Sequence, residues 1–412
     1  MELAAQAEAV WWLLCVGFLF LGLVGLALIE AGMSRSAFTE AALIKNVVQF
    51  ALASICWWLL GHGFSFGHVD YGFLGVELYG GKDWAGTLIP LQATAIGFVG
   101  VSVVFIINGA VAERATYTLY FVLTCVLLLF AWPVVVSWTW GKGWLYNMAD
   151  QFMDHGGCAT VHLFAGTVAL VGVLFVKPRS GRFEGESFAL SNTVLLTLGT
   201  IFYFIHLCFL NALVAPSITT KGYAMFNTWL GAGMAAITAC LLGSFIWKRV
   251  ETQFVLILRS FIAGAVIMSS IADNVAGWES FCSGVVAGVL FIVTYWLEER
   301  LGVDDVTLVL PTHLVPGLVG TFCVGLWNND MGGFHNNTGL LLGTQLAGLV
   351  SIFFWALAFG IGIFGFLYLL EFLVTAADLQ QGVENATLTP LGFKAGMETA
   401  NPEEGGVEMV KF

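Results

Sequence analysis

The stretch Asp154-His155-Gly156-Gly157-Cys158-Ala159-Thr160-Val161-His162-Leu163-Phe164-Ala165-Gly166-Thr167-Val168 decides how this chain folds, because its frame is written twice. Residues 305–319 repeat it as Asp305-x7-His313-Leu-x-x-Gly-x-Val, 151 positions later. Each copy sets one histidine inside an apolar helix, eight residues after an aspartate at that helix's start. An imidazole at hydrocarbon depth is costly unless it faces a partner, a cavity or a pathway. Two at equivalent places in two halves imply one shared site built by an internal repeat.

The surrounding sequence is that of a polytopic membrane protein. Hydrophobic residues make up 58% of the 412 and charged residues 10%, with a mean hydropathy of +0.88; a soluble domain is about a quarter charged. Eleven apolar runs are long enough to span, at about 9–30, 45–66, 88–110, 116–139, 156–176, 191–213, 223–246, 254–272, 278–297, 308–327 and 343–372. They lack the alternation of a membrane barrel, so the expected fold is all-α. The 49 glycines suit close helix packing.

An odd number of spans puts the termini on opposite sides. Arg35, Lys45, Arg114, Lys177, Arg179, Arg182, Lys248, Arg249, Arg300, Lys394 and Lys411 fall on one side, and only Lys82, Lys142 and Lys221 on the other. That asymmetry predicts a cytosolic C-terminus and an external N-terminus. Arg259, a few residues inside the eighth run, reads as snorkelling to the inner surface. The net charge of −12 does not suggest nucleic acid.

Five spans end at each histidine frame, so the second set inserts upside down relative to the first. The expected architecture is a 5+5 inverted repeat with its site near the bilayer midplane. The transmembrane domain covers 1–374, with halves at about 9–176 and 191–327 and the last helix at about 343–372. The polar hinge 177–187 joins the halves, and a polar tail occupies 375–412. The start, MELAAQAEAV, lacks the basic region of a cleavable signal. The eight cysteines show no CxxC spacing and read as small core residues, with no metal site or cofactor expected. Asn336-Asn337-Thr338 is a sequon in a loop assigned outside; Asn385-Ala386-Thr387, in the tail, would be silent.

The blander reading of His162 and His313 is two separate imidazoles, each bonded to a backbone carbonyl. If the rings meet instead, one donates to the other and their tautomers become complementary. The remaining nitrogens then offer a donor and an acceptor to a small neutral polar molecule, or relay a proton. A bare cation is disfavoured in such a dry passage. Asp154 and Asp305 can each cap a helix start, or bias a vestibule toward cations. His155 and His206 read as structural.

Several motifs together resemble the ammonium transporter / methylammonium permease / Rhesus family. They are Asn108–Arg114 (NGAVAER), Trp138-Thr139-Trp140-Gly141-Lys142-Gly143-Trp144, the Asp154–His162 frame, and Val303-Asp304-Asp305 ahead of His313. The likeness extends over about 360 residues and is closer to the ammonium transporter branch. It implies a transport protein rather than an enzyme, a homotrimer in the lipid bilayer with one pore per subunit, and the plasma membrane as its place, an organellar membrane being the alternative. Its twin pore histidines would be His162 and His313, its external cation-binding tryptophan Trp140, and its outer acid Asp154. Ammonium would be recruited on the aromatic face, deprotonated, and passed as ammonia.

The family's gate of two stacked phenylalanines is altered. Val99 takes the first position, with Phe98 and Phe105 nearby; Leu210 takes the second, Phe209 being about 100° out of phase. Val214 stands where a serine is expected, Asp273 and Asn274 interrupt the eighth helix, and the tail lacks the family's acidic-histidine-glycine element. Three alternatives accompany these departures: an ammonium sensor, a non-transporting structural subunit of a larger membrane complex, and a changed substrate such as carbon dioxide or a larger amine.

Overall fold

The computed structural model describes residues 2–246, 250–336 and 339–374. Lys248, Arg249, Lys394, Lys411, both complete sequons and the tail 375–412 therefore lie outside the described residues. The described residues are mostly helical. In order, its long helices are α1 (Ala5–Met33), α2 (Ser36–Phe66), α3 (Ile89–Ala110), α4 (Tyr117–Thr139), α5 (Cys158–Val176), α6 (Thr193–Asn211) and α7 (Ile218–Ile246). There follow α8 (Val250–Ile267), α9 (Gly277–Leu301), α10 (Leu310–Trp327) and α11 (Leu340–Leu369). Ten of these, all but the shorter α8, are long and apolar enough among the described residues to cross a membrane. One two-stranded ribbon, Val69–Asp70 with Leu74–Gly75, lies between α2 and α3.

Local chemistry sets the helix starts. Pro90 opens α3, where its missing N–H goes unmissed. Thr116 Oγ1 accepts from Leu119 N, and Asn192 Oδ1 accepts from Val194 N and Leu195 N, capping α4 and α6.

Hydropathy carries the eighth helix to residue 272, but α8 ends at Ile267. Beyond it the backbone is held by other partners. Ser269 O accepts from Gly156 N at 2.5 Å, and Asn227 Nδ2 donates to Ala272 O and Val275 O at 2.8 and 2.9 Å. Carbonyls satisfied in this way no longer require the helical bond.

Helix α1 packs along α6, α7 lies between α8 and α9, and α5 packs against α3, α10 and α11. The repeated glycine, four residues after each histidine, explains the crossing of α5 and α10. A Cβ on Gly166 would lie 2.6 Å from Leu314 Cα, and one on Gly317 would lie 2.7 Å from Cys158 O and Leu163 N. Each glycine thus opens the place where the other histidine's segment passes.

Several charges counted as loop cations are buried. Lys45 lies inside α2, 4% exposed, bonded to Glu30 of α1 and with its Nζ 4.2 Å from the Tyr120 ring centroid. Arg114, Arg179, Glu113 and Asp304 are also buried and form one clamp at the bundle end that carries Asp305. Arg179 donates from Nε and Nη2 to Asp304 at 2.8 Å each and from Nη1 to Glu113 at 2.7 Å. Arg114 Nη2 donates to Asp304 O at 2.5 Å, and Arg35 Nε donates to Glu113 at 2.5 Å. The clamp ties the segments after α1, α3, α5 and α9 to one another.

Candidate functional site

The two histidine segments begin alike. Asp154 Oδ2 accepts from Ala159 N at 3.1 Å and from Thr160 N and Oγ1 at 2.7 Å each. Asp305 Oδ2 accepts from Leu310 N at 2.7 Å. Both carboxylates therefore cap the free N–H groups of a helix start, as the spacing predicts. Both segments then open with a π turn, over Cys158–Leu163 and Leu310–Leu314. In it, His162 N bonds back to Gly157 O at 3.1 Å. Such a wide turn re-aims side chains relative to an α-helix and often marks a functional place.

The structure brings His162 and His313 together. Their Nδ1 atoms are 3.2 Å apart, their ring centroids 5.1 Å apart and their planes 29° from parallel. Both residues are completely buried. With both rings neutral, one Nδ1 carries the shared proton and the other accepts it. The Nε2 atoms are then of opposite kind, one acceptor and one donor. Neither Nε2 has a hydrogen-bond partner among the described residues. Two unmatched polar atoms of opposite kind can together hold one small molecule able both to donate and to accept.

Trp140 and Asp154 meet at one lip of α5. The Trp140 Nε1 donates to the backbone oxygen of Asp154 at 2.7 Å, which leaves the ring partly exposed beside Gly157. The Asp154 side chain is 2% exposed, and its Oδ1 also accepts from Ser270 Oγ at 2.5 Å. Burial pushes its carboxyl above the usual carboxylate range, against the hydrogen bonds of Ser270, Thr160 and Ala159. It is a structural cap at this lip, and it does not face solvent.

Sequence reasoning missed the acid that pairs with the histidine beside Asp154. Asp273 Oδ2 lies 2.8 Å from His155 Nδ1, and the His155 ring is partly exposed. The break of the eighth helix at Asp273-Asn274 was the available signal. Burial opposes charge on His155, but the hydrogen bond and charge of Asp273, with the charge of Asp154, outweigh it and raise its pKa above 6.5. An unfolded histidine titrates near 6.5, so the pair's stabilisation is complete below that pH and fades as pH rises through the higher folded value. His155→Gln is expected to lower stability by about 1 kcal/mol at pH ~6 and by less at pH ~9. Thermal unfolding across that range checks this; a difference independent of pH would refute the assignment.

The phenylalanines next to the expected gate positions pack against other rings. Phe98 turns away to Phe20 and Phe50, with centroids 5.6 and 5.8 Å apart. Phe209 stacks on Phe18 at 4.2 Å. Val99 and Leu210 are completely buried. His206 is structural: its Nδ1 lies 2.8 Å from Leu19 O, and a Cβ on Gly22 would collide with its ring. Arg259 does not snorkel. It is 1% exposed, one of the largest fully buried side chains, because its register on α8 faces the bundle interior.

The model of the family described as Ammonium Transporter Family matches residues 10–387. Ammonium transporter Amt2 of Archaeoglobus fulgidus is 28% identical over 389 residues, covering 87% of this chain and 81% of the relative. Ammonium transporter 1 of Dictyostelium discoideum is 28% identical over 371 residues, covering 84% and 78%. Among solved structures, a sensor Amt protein superposes with a TM-score of 0.86 at 25% identity, covering 93% of this chain and 99% of that one. Mep2 of Saccharomyces cerevisiae superposes with a TM-score of 0.82 at 22% identity, over 90% and 88%, a likeness of fold.

Proposed function

The chain belongs to the ammonium transporter family, and from that premise we propose that it moves ammonium across a membrane as ammonia, along a passage lined by His162 and His313. The observation that carries the reading is the fully buried, hydrogen-bonded histidine pair with both Nε2 atoms unpartnered. Ammonia both donates and accepts, so it matches the two unlike Nε2 atoms. Ammonium and potassium are alike in size and charge; only the former can lose a proton and enter an apolar passage as a neutral molecule.

Trp140 is the recruiting face in this scheme, its ring open at the lip for a cation–π contact. The acid nearest in role is Asp273, with Asp154 acting as the cap that fixes the start of α5. Val99 and Leu210 form an aliphatic constriction in place of stacked aromatic rings, and Phe98 takes no part. The architecture is eleven spans counting α8, as a 5+5 inverted repeat followed by α11, with the N-terminus outside and the C-terminus cytosolic. The matched caps, π turns and glycines of α5 and α10 support that repeat. The proposed assembly is a homotrimer in the plasma membrane.

An ammonium jump outside proteoliposomes of the purified protein tests the function. A pH dye inside should report alkalinisation faster than in protein-free vesicles and saturating with ammonium. Trp140→Ala should require roughly fivefold more ammonium for the half-maximal rate, the worth of about 1 kcal/mol of cation–π attraction. The second reading is a sensor, raised by the fold shared with the sensor Amt protein; it predicts saturable ammonium binding with no flux above protein-free vesicles.

A further inference from the structure

Arg259 lies in an apolar helix at a depth where a charge normally marks a pathway. Its Nε and Nη1 have no hydrogen-bond partner among the described residues. Register fixes its level. Ser270 meets Asp154, Ser269 O meets Gly156 N, and Val266 O meets Cys158 Sγ at 3.1 Å. The end of α8 and the start of α5 therefore run antiparallel. Arg259 precedes Val266 by seven residues, about 10 Å of helix, whereas His162 is about 6 Å beyond Cys158. That places Arg259 roughly one turn past the histidine pair, toward Asp305. Helix α8 also packs directly on the His313 segment.

The groups on which the guanidinium charge acts are Asp305, Tyr203 and His313. The Tyr203 ring lies 5.9 Å from that of His313. Tyr203 Oη, Asp305 Oδ1 and His313 Nε2 are, like Arg259, buried without a hydrogen-bond partner among the described residues. Buried polar atoms are ordinarily paired. Four such groups, carried by α6, α8 and the start of α10, mark an inner polar site for small neutral molecules.

We propose that Arg259 is a charge-selectivity residue at the inner end of the histidine passage, admitting neutral ammonia while repelling ammonium and protons, so that transport carries no net charge. The inference rests on the reading of His162 and His313 as the passage. A guanidinium stays charged, and a fixed positive charge in a narrow passage is an electrostatic barrier to cations. The same fixed charge stands in the way of an excess proton moving through the pair. Ammonia meets no such penalty, because its lone pair accepts an N–H of Arg259. Asp305 offsets only part of that charge, because burial pushes its carboxyl above the usual carboxylate range against the bonds of Val309 and Leu310 and the charge of Arg259. The proton balance closes in bulk water. Ammonium releases its proton outside, ammonia crosses, and it regains a proton inside.

The test measures luminal alkalinisation and membrane current together after an ammonium chloride jump on proteoliposomes of the full chain. The wild type should alkalinise vesicles without current. Arg259→Gln should gain an ammonium current, with charge moved per ammonia rising roughly tenfold or more, and Arg259→Lys should stay silent. Because Gln leaves Asp305 uncompensated, Arg259→Gln/Asp305→Asn is run beside it, and current in either neutral variant supports the proposal. Wild-type current matching the alkalinisation overturns it. So does alkalinisation without current in both neutral variants, or equal current in the lysine variant. Absence of both signals from folded wild type refutes the transport reading itself, and this proposal with it.

Discussion

Replacing both His162 and His313 with alanine is expected to cut ammonia flux roughly 100-fold while the protein still folds. Each ring is completely buried and each Nε2 is unpartnered. With both rings gone, ammonia crosses that stretch with no partner, at a cost of about 2–3 kcal/mol, which is about two orders of magnitude. Folding responds differently. Removing one ring strands the Nδ1 of the other, a penalty of about 1–3 kcal/mol for an orphaned buried group, whereas removing both leaves none. The two single variants should therefore lose more stability in sum than the double variant loses. Stopped-flow alkalinisation and thermal unfolding of all three proteins check the pattern. Flux within threefold of wild type in the double variant would remove the histidines from the pathway.

Asp304→Asn is expected to cost about 3–5 kcal/mol, the usual effect of breaking a buried ion pair from one side. Asp304 receives the Arg179 backbone N–H and guanidinium, with Arg114 at 3.3 Å. Burial raises its pKa, but these bonds and charges win and push it down to about 2. An unfolded aspartate titrates near 3.9. Stability from this carboxylate is therefore fully present above that pH and is lost as pH falls through the folded value near 2. The variant should unfold at lower temperature at pH 7, and it should lack the part of the wild-type acid transition that this group contributes. Arg182, at the partly exposed rim of the clamp, should matter far less when changed to alanine. Equal stability of Asp304→Asn and wild type would show that the clamp is not what joins the helix ends.

How much of this was legible in the sequence depends on whether a local pattern carried the information. The paired histidines were legible because both copies of their frame survive, with cap, imidazole and glycine at fixed spacing. The apolar runs gave ten helices outright. They overran α8 because serine and alanine after Ile267 are as apolar as a helix requires, while the contacts that end it come from Gly156 and Asn227, far away in sequence. Facing was harder. Phe98 and Val99 are one residue apart, about 100° on a helix, and the alignment alone did not show that the Phe98 ring packs with Phe20 and Phe50. Arg259 and Lys45 were misread for one reason: charge composition says a residue is ionic, not whether its helix turns it toward water or into the bundle. The Asp154 carboxylate was legible as a cap, and its full engagement required Ser270, whose partner lies 116 residues away.

The π turns over Cys158–Leu163 and Leu310–Leu314 have a consequence at the level of codons. A π turn is an α-helix carrying one surplus residue. An in-frame deletion of a single codon there would leave a continuous, equally apolar helix that still inserts. Everything following would be rotated by about 100° and drawn back by one residue rise. His162 would lose its register with His313, and Gly166 would no longer lie under Leu314. At these two places the gene tolerates exchange of letters better than loss of one.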